Sequence, residues 1–174
     1  MTNLFEETEA KRFERLMLPH LDAAYNHARW LLKDAQDAED VVQDSYLKAF
    51  RHFSTYRGGS AKGWLLAIVR NTAYNALRKK NLVSSVMESD ADIESVAGDD
   101  HSNMSIDHAD DVSRVNDALG QLPLEYREVI VLRELEEFSY KEIATMTELP
   151  IGTVMSRISR GRERLRILLK KGGE

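Results

Sequence analysis

Along most of the chain, apolar residues recur at three- and four-residue spacing. No stretch alternates apolar and polar positions with the period of two that a half-buried strand needs. The pattern predicts an all-α protein. A first stripe, Phe13, Leu16, Met17, Leu21, Tyr25, Ala28, Leu31 and Leu32, runs over two helices separated at Pro19. The segment DAQDAEDVVQDSYLKAFRHF comes next. Val41, Val42, Ser45, Ala49, Phe50 and Phe53 form its apolar face, and Glu39, Asp40, Gln43, Asp44 and Leu47 lie along another. Asp37 is placed to cap this helix, with Asp40 at its third position. The stretch TYRGGS breaks the pattern at Gly58 and Gly59, and Ser60 can cap a helix over about 61–80.

Between residues 82 and 111 the periodicity is lost. Ser, Asp and Glu dominate and aromatics are absent, so this segment cannot bury enough apolar surface to order itself and reads as a flexible acidic linker. Helical spacing returns near Val112. Val115, Ala118, Leu119 and Leu122 stripe one helix, and Pro123 breaks it and suits the start of another over 124–135, with VIVL at its buried centre. FSYKEIATM then carries a full start signal. Ser139 and Glu142 form a capping box, and Phe138 can staple onto Ile143. After the turn ELPIG, a last helix is expected from Thr153 to about Leu169. The organisation is therefore an N-terminal helical bundle over 1–81, a linker over 82–111 and a second helical domain over 112–174.

Charge sharpens this picture. The 174-residue chain has a formal net charge of −5, yet residues 57–80 hold six basic and no acidic residues, while 88–111 hold nine acidic and no basic ones. Residues 138–174 carry eight basic and four acidic residues, five of the basic ones being arginines of the last helix. Two basic segments either side of an acidic one suggest two surfaces for a polyanion. In the last helix Val154, Ile158, Gly161, Leu165 and Leu168 make a core stripe. Thr153, Ser156, Arg157, Arg160 and Arg164 are expected on the opposite face. Two helices joined by a tight turn, the second basic, fit a helix-turn-helix whose second helix enters a major groove. A solvated amphipathic helix is the alternative, because arginine is a good helix former and basic residues complement a helix C-terminus.

Other chemistries find little support. There are no cysteines, which excludes disulfides, thiol catalysis and Cys-ligated zinc. No phosphate loop ending in Lys-Ser/Thr and no HExxH occurs, and His20, His27, His52, His101 and His108 share no metal-ligand spacing. No enzyme, metal or cofactor is expected. The N-terminus lacks the basic start and apolar middle of a signal peptide and no apolar run is long enough for a membrane span, which together suit a cytoplasmic protein.

Two long stretches carry a resemblance: DAEDVVQDSYLKAFRHFSTYRGGSAKGWLLAIVRNTAYNALRKK, and LPLEYREVIVLRELEEFSYKEIATMTELPIGTVMSRISRGRERL. In this order and spacing they resemble a bacterial RNA polymerase sigma factor of the extracytoplasmic-function (ECF) subfamily, over about 15–81 and 112–170. The resemblance implies sigma domain 2, a linker along the polymerase RNA channel, and sigma domain 4. It implies three surfaces as well. Glu39, Asp40, Gln43, Asp44 and Leu47 match the helix that docks on the clamp of the polymerase β′ subunit. Tyr56, Arg57, Gly58, Gly59, Ser60, Lys62, Arg70, Asn71, Tyr74, Asn75 and Arg78 match the segment for the −10 element and strand opening. Ser139, Tyr140, Thr153, Ser156, Arg157, Arg160 and Arg164 match the module for the −35 element. Met155 stands where such proteins often have a basic residue, which implies fewer or more apolar −35 contacts. Trp64 is tempting as a melting wedge, but its spacing with Ile68 and Leu77 favours a core role. The implied partners are core RNA polymerase through its β′ and β subunits, promoter DNA and an anti-sigma factor. Chemistry would belong to the polymerase.

Overall fold

The computed structural model describes residues 7–87 and 106–172, apart from the side chains of 84–87 and 106–109. The centre of the expected linker and the linker histidine His101 lie outside the described residues. Every regular element among them is helical: α1 (Glu9–Met17), α2 (Leu21–Leu32), α3 (Ala35–Arg51), α4 (Ala61–Met87), α5 (Ile106–Gln121), α6 (Leu124–Ile130), α7 (Tyr140–Thr147) and α8 (Ile151–Lys171). Helix α4 outruns the expected end at 80, and α5 starts before Val112, so both helices enter the segment read as linker. The chain divides into two compact units, Met1–Ala76 and Leu77–Glu174.

In the first unit, α2 packs against α3, and short 3-10 turns at Leu18–His20 and Phe53–Thr55 end α1 and α3. The first turn falls at Pro19, as the sequence predicts. The α3 cap lies earlier than expected: Asp34 is the N-cap, its carboxylate accepting from the Asp37 N–H at 2.8 Å. The extra turn brings Ala38 fully into the core. Ser60 does cap α4, its hydroxyl accepting from the Gly63 N–H at 3.0 Å. Aromatic rings join the elements. Phe13 of α1 meets Phe50 and Phe53 edge-on, each at 5.2 Å between centroids, and Phe53 stacks on Tyr56 at 5.9 Å. Tyr46 donates from its hydroxyl to Met17 O at 2.8 Å, tying α3 to the end of α1. Burial, with a smaller push from Asp22, raises this phenol to about 12, so it remains a donor at neutral pH. Leu21 and Phe50, expected in the core, are exposed at the stripe's edges.

In the second unit, α8 packs against α5, α6 and α7. Val129, Ile130, Val131 and Leu132 are almost wholly buried, confirming the apolar centre of 124–135. After Ile130 the helix widens into a π-turn over Val131–Leu135, where the Glu136 N–H reaches back to Val131 O at 3.0 Å. Buried Arg127 donates to Gly120 O (3.3 Å) and Leu122 O (2.9 Å), satisfying carbonyls at the end of α5. The capping box is complete: Ser139 Oγ accepts from the Glu142 N–H (3.1 Å), and the Ser139 N–H donates to Glu142 Oε2 (2.7 Å). Val115, expected in the core stripe of α5, is exposed. No helix among the described residues is long and apolar enough to cross a membrane.

The tightest contact of this unit is at Gly161. A Cβ there would lie 2.8 Å from Ile130 Cγ1 and 3.5 Å from Tyr126 Cβ. A larger side chain must push α8 off α6. Gly161→Val should therefore lower stability by about 2 kcal/mol or more by overpacking. Gly152→Ala, where the new Cβ meets nothing within 4 Å, should be neutral or stabilise by up to about 1 kcal/mol through helix propensity. Thermal unfolding of the two variants separates a packing requirement from a general intolerance of substitution.

His27 makes the first unit pH-sensitive. It is fully buried on α2, and neither ring nitrogen finds a hydrogen-bond partner among the described residues. Burial, and secondarily the nearby Arg70 charge, lower its pKa to about 4. The unfolded chain then binds the extra proton between about pH 6.5 and pH 4, so stability is complete above that window and falls as pH drops through it. At pH 5 the loss should be about 2 kcal/mol relative to pH 7. Urea unfolding at both pH values measures it. His27→Leu, which removes the proton site and the two unsatisfied nitrogens, should abolish this component.

Candidate functional site

The residues of interest occupy one face of α3, the loop and helix that follow it, and the helix-turn-helix of the second unit. On α3 the two faces separate, with exposed Phe50 near its end the exception. Ala38, Val41, Val42, Ser45 and Ala49 are buried, while Glu39, Asp40, Gln43, Asp44 and Leu47 are all exposed, Leu47 at 58%. Buried Ser45 meets its need inside the helix, donating to Val41 O at 2.6 Å. On the outer face Gln36 donates to Asp40 (3.2 Å) and Lys48 pairs with Asp44 (3.0 Å). This leaves an acidic and amide surface around one exposed leucine.

The loop Tyr56–Ser60 is organised from within. Tyr56 is only 7% exposed, and its hydroxyl donates to Gly59 O at 2.8 Å. Gly58 and Gly59 adopt φ of 93° and 82°, a region that favours glycine. Tyr56, expected from the resemblance in the −10 segment, is thus the internal strut of its loop, with little of its ring exposed. Arg57, Gly58, Gly59 and Ser60 remain exposed. Lys62 and Arg70 are half-buried on α4, and the Arg70 guanidinium lies over the Tyr74 ring at 4.4 Å. Asn71, Asn75 and Arg78 are exposed along the same helix.

Between α3 and α4 an open cleft of about 310 Å³ is lined by Lys48, His52, Trp64, Asn71, Thr72 and Asn75. Lys48 donates to Thr72 Oγ1 at 3.4 Å across it. Trp64 is half-buried: one edge packs on Phe53 and Tyr56, and the ring also forms part of the cleft wall. It is neither a free wedge nor a full core residue. The sequence reading missed Lys48, His52 and Thr72. Their only signal was the i, i+4 spacing of Lys48 and His52 at the end of α3.

In the second unit, α7 and α8 are joined by three residues, with Glu148 left-handed at φ 55° closing α7. Ser139 caps α7, and half-buried Tyr140 lies under the Arg133 guanidinium at 4.7 Å. The arginines of α8 do not form one free strip opposite the core, as the sequence reading expects. Arg157 is three residues from Val154 and four from Gly161, which puts it beside the core stripe, with its side chain 27% exposed and 3.9 Å from Glu125. Arg164 lies over the Tyr126 ring at 4.6 Å. Arg160 and Ser156 are exposed, Ser156 donating to Thr153 O at 3.0 Å, and Thr153 is half-buried. On the other flank, Met155, Ser159 and Arg162 share an open cleft of about 610 Å³ with Tyr140. Arg162 is held by Glu134 (2.8 Å), which raises its pKa through that hydrogen bond. Arg166 is held in the same way by Glu163. Glu125 and Glu134 are distant in sequence, and the helical period alone does not reveal them; Glu163 is the i, i+3 neighbour of Arg166.

Two family models match: Sigma-70 region 2 over residues 16–83, and Sigma-70, region 4 over residues 113–165. The RNA polymerase sigma-H factor of Pseudomonas aeruginosa is 33% identical over 163 residues, 89% of this chain and 84% of that protein. The ECF RNA polymerase sigma factor SigE of Mycolicibacterium smegmatis is 34% identical over 161 residues. That alignment covers 91% of this chain but only 62% of the longer relative. Among solved structures, the sigma factor RpoE of Bartonella quintana, in complex with the anti-sigma factor NepR, matches with a TM-score of 0.79 and 35% identity, covering 92% of this chain and 98% of that one. With both sigma regions matched in order and relatives aligned over most of its length, the chain belongs to the ECF subfamily of RNA polymerase sigma factors, which direct promoter-specific transcription.

Proposed function

We propose that the two units divide the work of initiation among three surfaces. The outer face of α3, with Glu39, Asp40, Gln43, Asp44 and Leu47, docks on the clamp of the core polymerase. The observation that carries this reading is the split of α3 into a buried apolar face and an exposed acidic and amide face centred on a 58% exposed leucine. Carboxylates around a solvent-facing apolar anchor suit a basic partner helix. The loop 56–60 and α4 engage the −10 element. Arg57, Ser60, Asn71, Asn75 and Arg78 are the exposed contacts, and Lys62, Arg70 and Tyr74 flank them. The helix-turn-helix engages the −35 element through Ser139 and Tyr140 at the start of α7 and through Thr153, Ser156 and Arg160 on α8. Arg157 and Arg164 reach DNA only by giving up their contacts on α6.

In this assignment the chain performs no catalysis. The polymerase makes the RNA, and this subunit supplies promoter recognition and strand opening in the cytoplasm. Domain 2 is taken as 1–81, domain 4 as 112–174, and the acidic segment between them as the connector. An anti-sigma factor that covers the polymerase-binding face would hold the protein inactive. The complex of the similar RpoE with an anti-sigma factor supports that partner class.

Binding to sigma-free core polymerase should be tight for the wild-type chain. The double variant Asp40→Ala, Gln43→Ala should weaken it at least about tenfold, a loss of about 1.4 kcal/mol, with the thermal unfolding of the free protein unchanged because both side chains are exposed. Equal affinity of variant and wild type would refute the docking face. For the holoenzyme on promoter DNA, three to five basic contacts to phosphates in the second unit should contribute roughly −3 to −4.5 to the log–log salt slope. Comparing promoters with intact and deleted −35 elements isolates that contribution, and no difference in slope would count against the helix-turn-helix assignment.

A further inference from the structure

Along α8, Ile151, Met155 and Ser159 fall at successive four-residue steps on one flank. All three are exposed, Ile151 at 46% and Met155 at 51%. Tyr140, the first residue of α7, lines the same cleft as Met155 and Ser159. When a helix-turn-helix docks, its first helix crosses the sugar–phosphate backbone, and the N-terminal residues of its second helix contact base edges. The flank of α8 that shares a cleft with the start of α7 then looks onto the bases together with the adjoining exposed side of Ser156 and Arg160. Its first two turns carry no charge. The charged residues stand at its far end, where Arg162 and Arg166 line the cleft with Glu163, and Arg157 lies on the opposite flank against Glu125.

We infer that Met155 reads the 5-methyl group of a thymine in the −35 element. The inference rests on the −35 reading of the second unit and names what that surface recognises. In the major groove every base-pair edge offers donors or acceptors, and the thymine methyl is the one apolar group. A flexible, polarisable thioether packs against such a group and gains nothing from a polar edge. Arginine at this position would favour guanine O6 and N7 instead. The phosphate chemistry at the rim, Tyr140 and the arginines, fixes the register, and Met155 discriminates within it.

The test uses holoenzyme assembled from core polymerase and the full chain. A library with random −35 sequence and a fixed −10 element is selected for binding. The winning duplex is then remade with deoxyuridine in place of thymidine, one position at a time on either strand. At one position the loss of the methyl should weaken wild-type binding roughly fourfold, the value of one buried methyl-sized group. Met155→Ala should bind the thymidine and deoxyuridine duplexes equally, and Met155→Arg should shift selection at that position toward guanine. Because Met155 is half-exposed, both variants should unfold at the wild-type temperature. Deoxyuridine without effect at every position, or methyl sensitivity that survives Met155→Ala, overturns the inference alone. A wild-type selection that enriches no −35 sequence overturns the −35 reading and this inference together.

Discussion

The close approach of α6 and α8 at Gly161 sets the character of the second unit. Three helices press on α8, so its fully buried stripe is narrow: Val154, Ile158 and Gly161. With no side chain at 161, Ile130 and Tyr126 come up against the α8 backbone. That contact also decides what happens to the arginines beside the stripe. Glu125 and Tyr126, both on α6, take up Arg157 and Arg164. The flank that carries Ile151, Met155 and Ser159 stays exposed beside them.

The first unit solves a different problem, because α3 carries a core-packed face and an exposed acidic one. Its inner face is small and apolar, with Ser45 satisfied by its own helix, so α2 can pack closely. The ring cluster around Phe53 then fixes the exit of α3 and the loop beyond it. Tyr56 continues that cluster and ends in a hydrogen bond to Gly59 O, so the loop is anchored from the core side while its outer residues stay exposed. A loop held this way has little conformational freedom left to lose on binding. The orphaned nitrogens of His27 lie on the opposite side of the account. They cost stability and contribute no hydrogen bond among the described residues.

Much of this was legible in the sequence. Helical spacing, Pro19, Ser60, the capping box at Ser139 and the buried VIVL are local signals, and each is present as read. The resemblance carried the family and the order of the two regions. The errors share one cause. Asp34 and Asp37 both fit a cap, and only the burial of Ala38 against neighbouring helices favours the earlier start. Leu21, Phe50 and Val115 obey the apolar period but lie at the edges of their stripes and stay exposed. The sequence does not reveal that the Tyr56 hydroxyl closes its own loop on Gly59. Glu125 and Glu134 are remote in sequence from the arginines they hold, so the arginine-rich helix looked freer than it is. Periodicity identifies faces; it does not say which neighbour each face meets.

That last point bears on why an acidic chain can serve as a DNA-binding subunit. Of the five arginines on α8, Arg157, Arg162 and Arg166 are paired with glutamates and Arg164 with an aromatic ring. Such surface pairs are individually weak and exchange readily for phosphate contacts. While they persist, they reduce the field that would draw the free protein onto arbitrary DNA, and the net charge of −5 acts in the same direction. Non-specific affinity is the electrostatic part of DNA binding, and lowering it leaves specificity to contacts that need correct register. For a protein with two recognition modules, that register is available only when both are held at the promoter's spacing, which multiplies their separate affinities. A subunit built this way gains little by binding DNA alone and much by binding it as part of the polymerase.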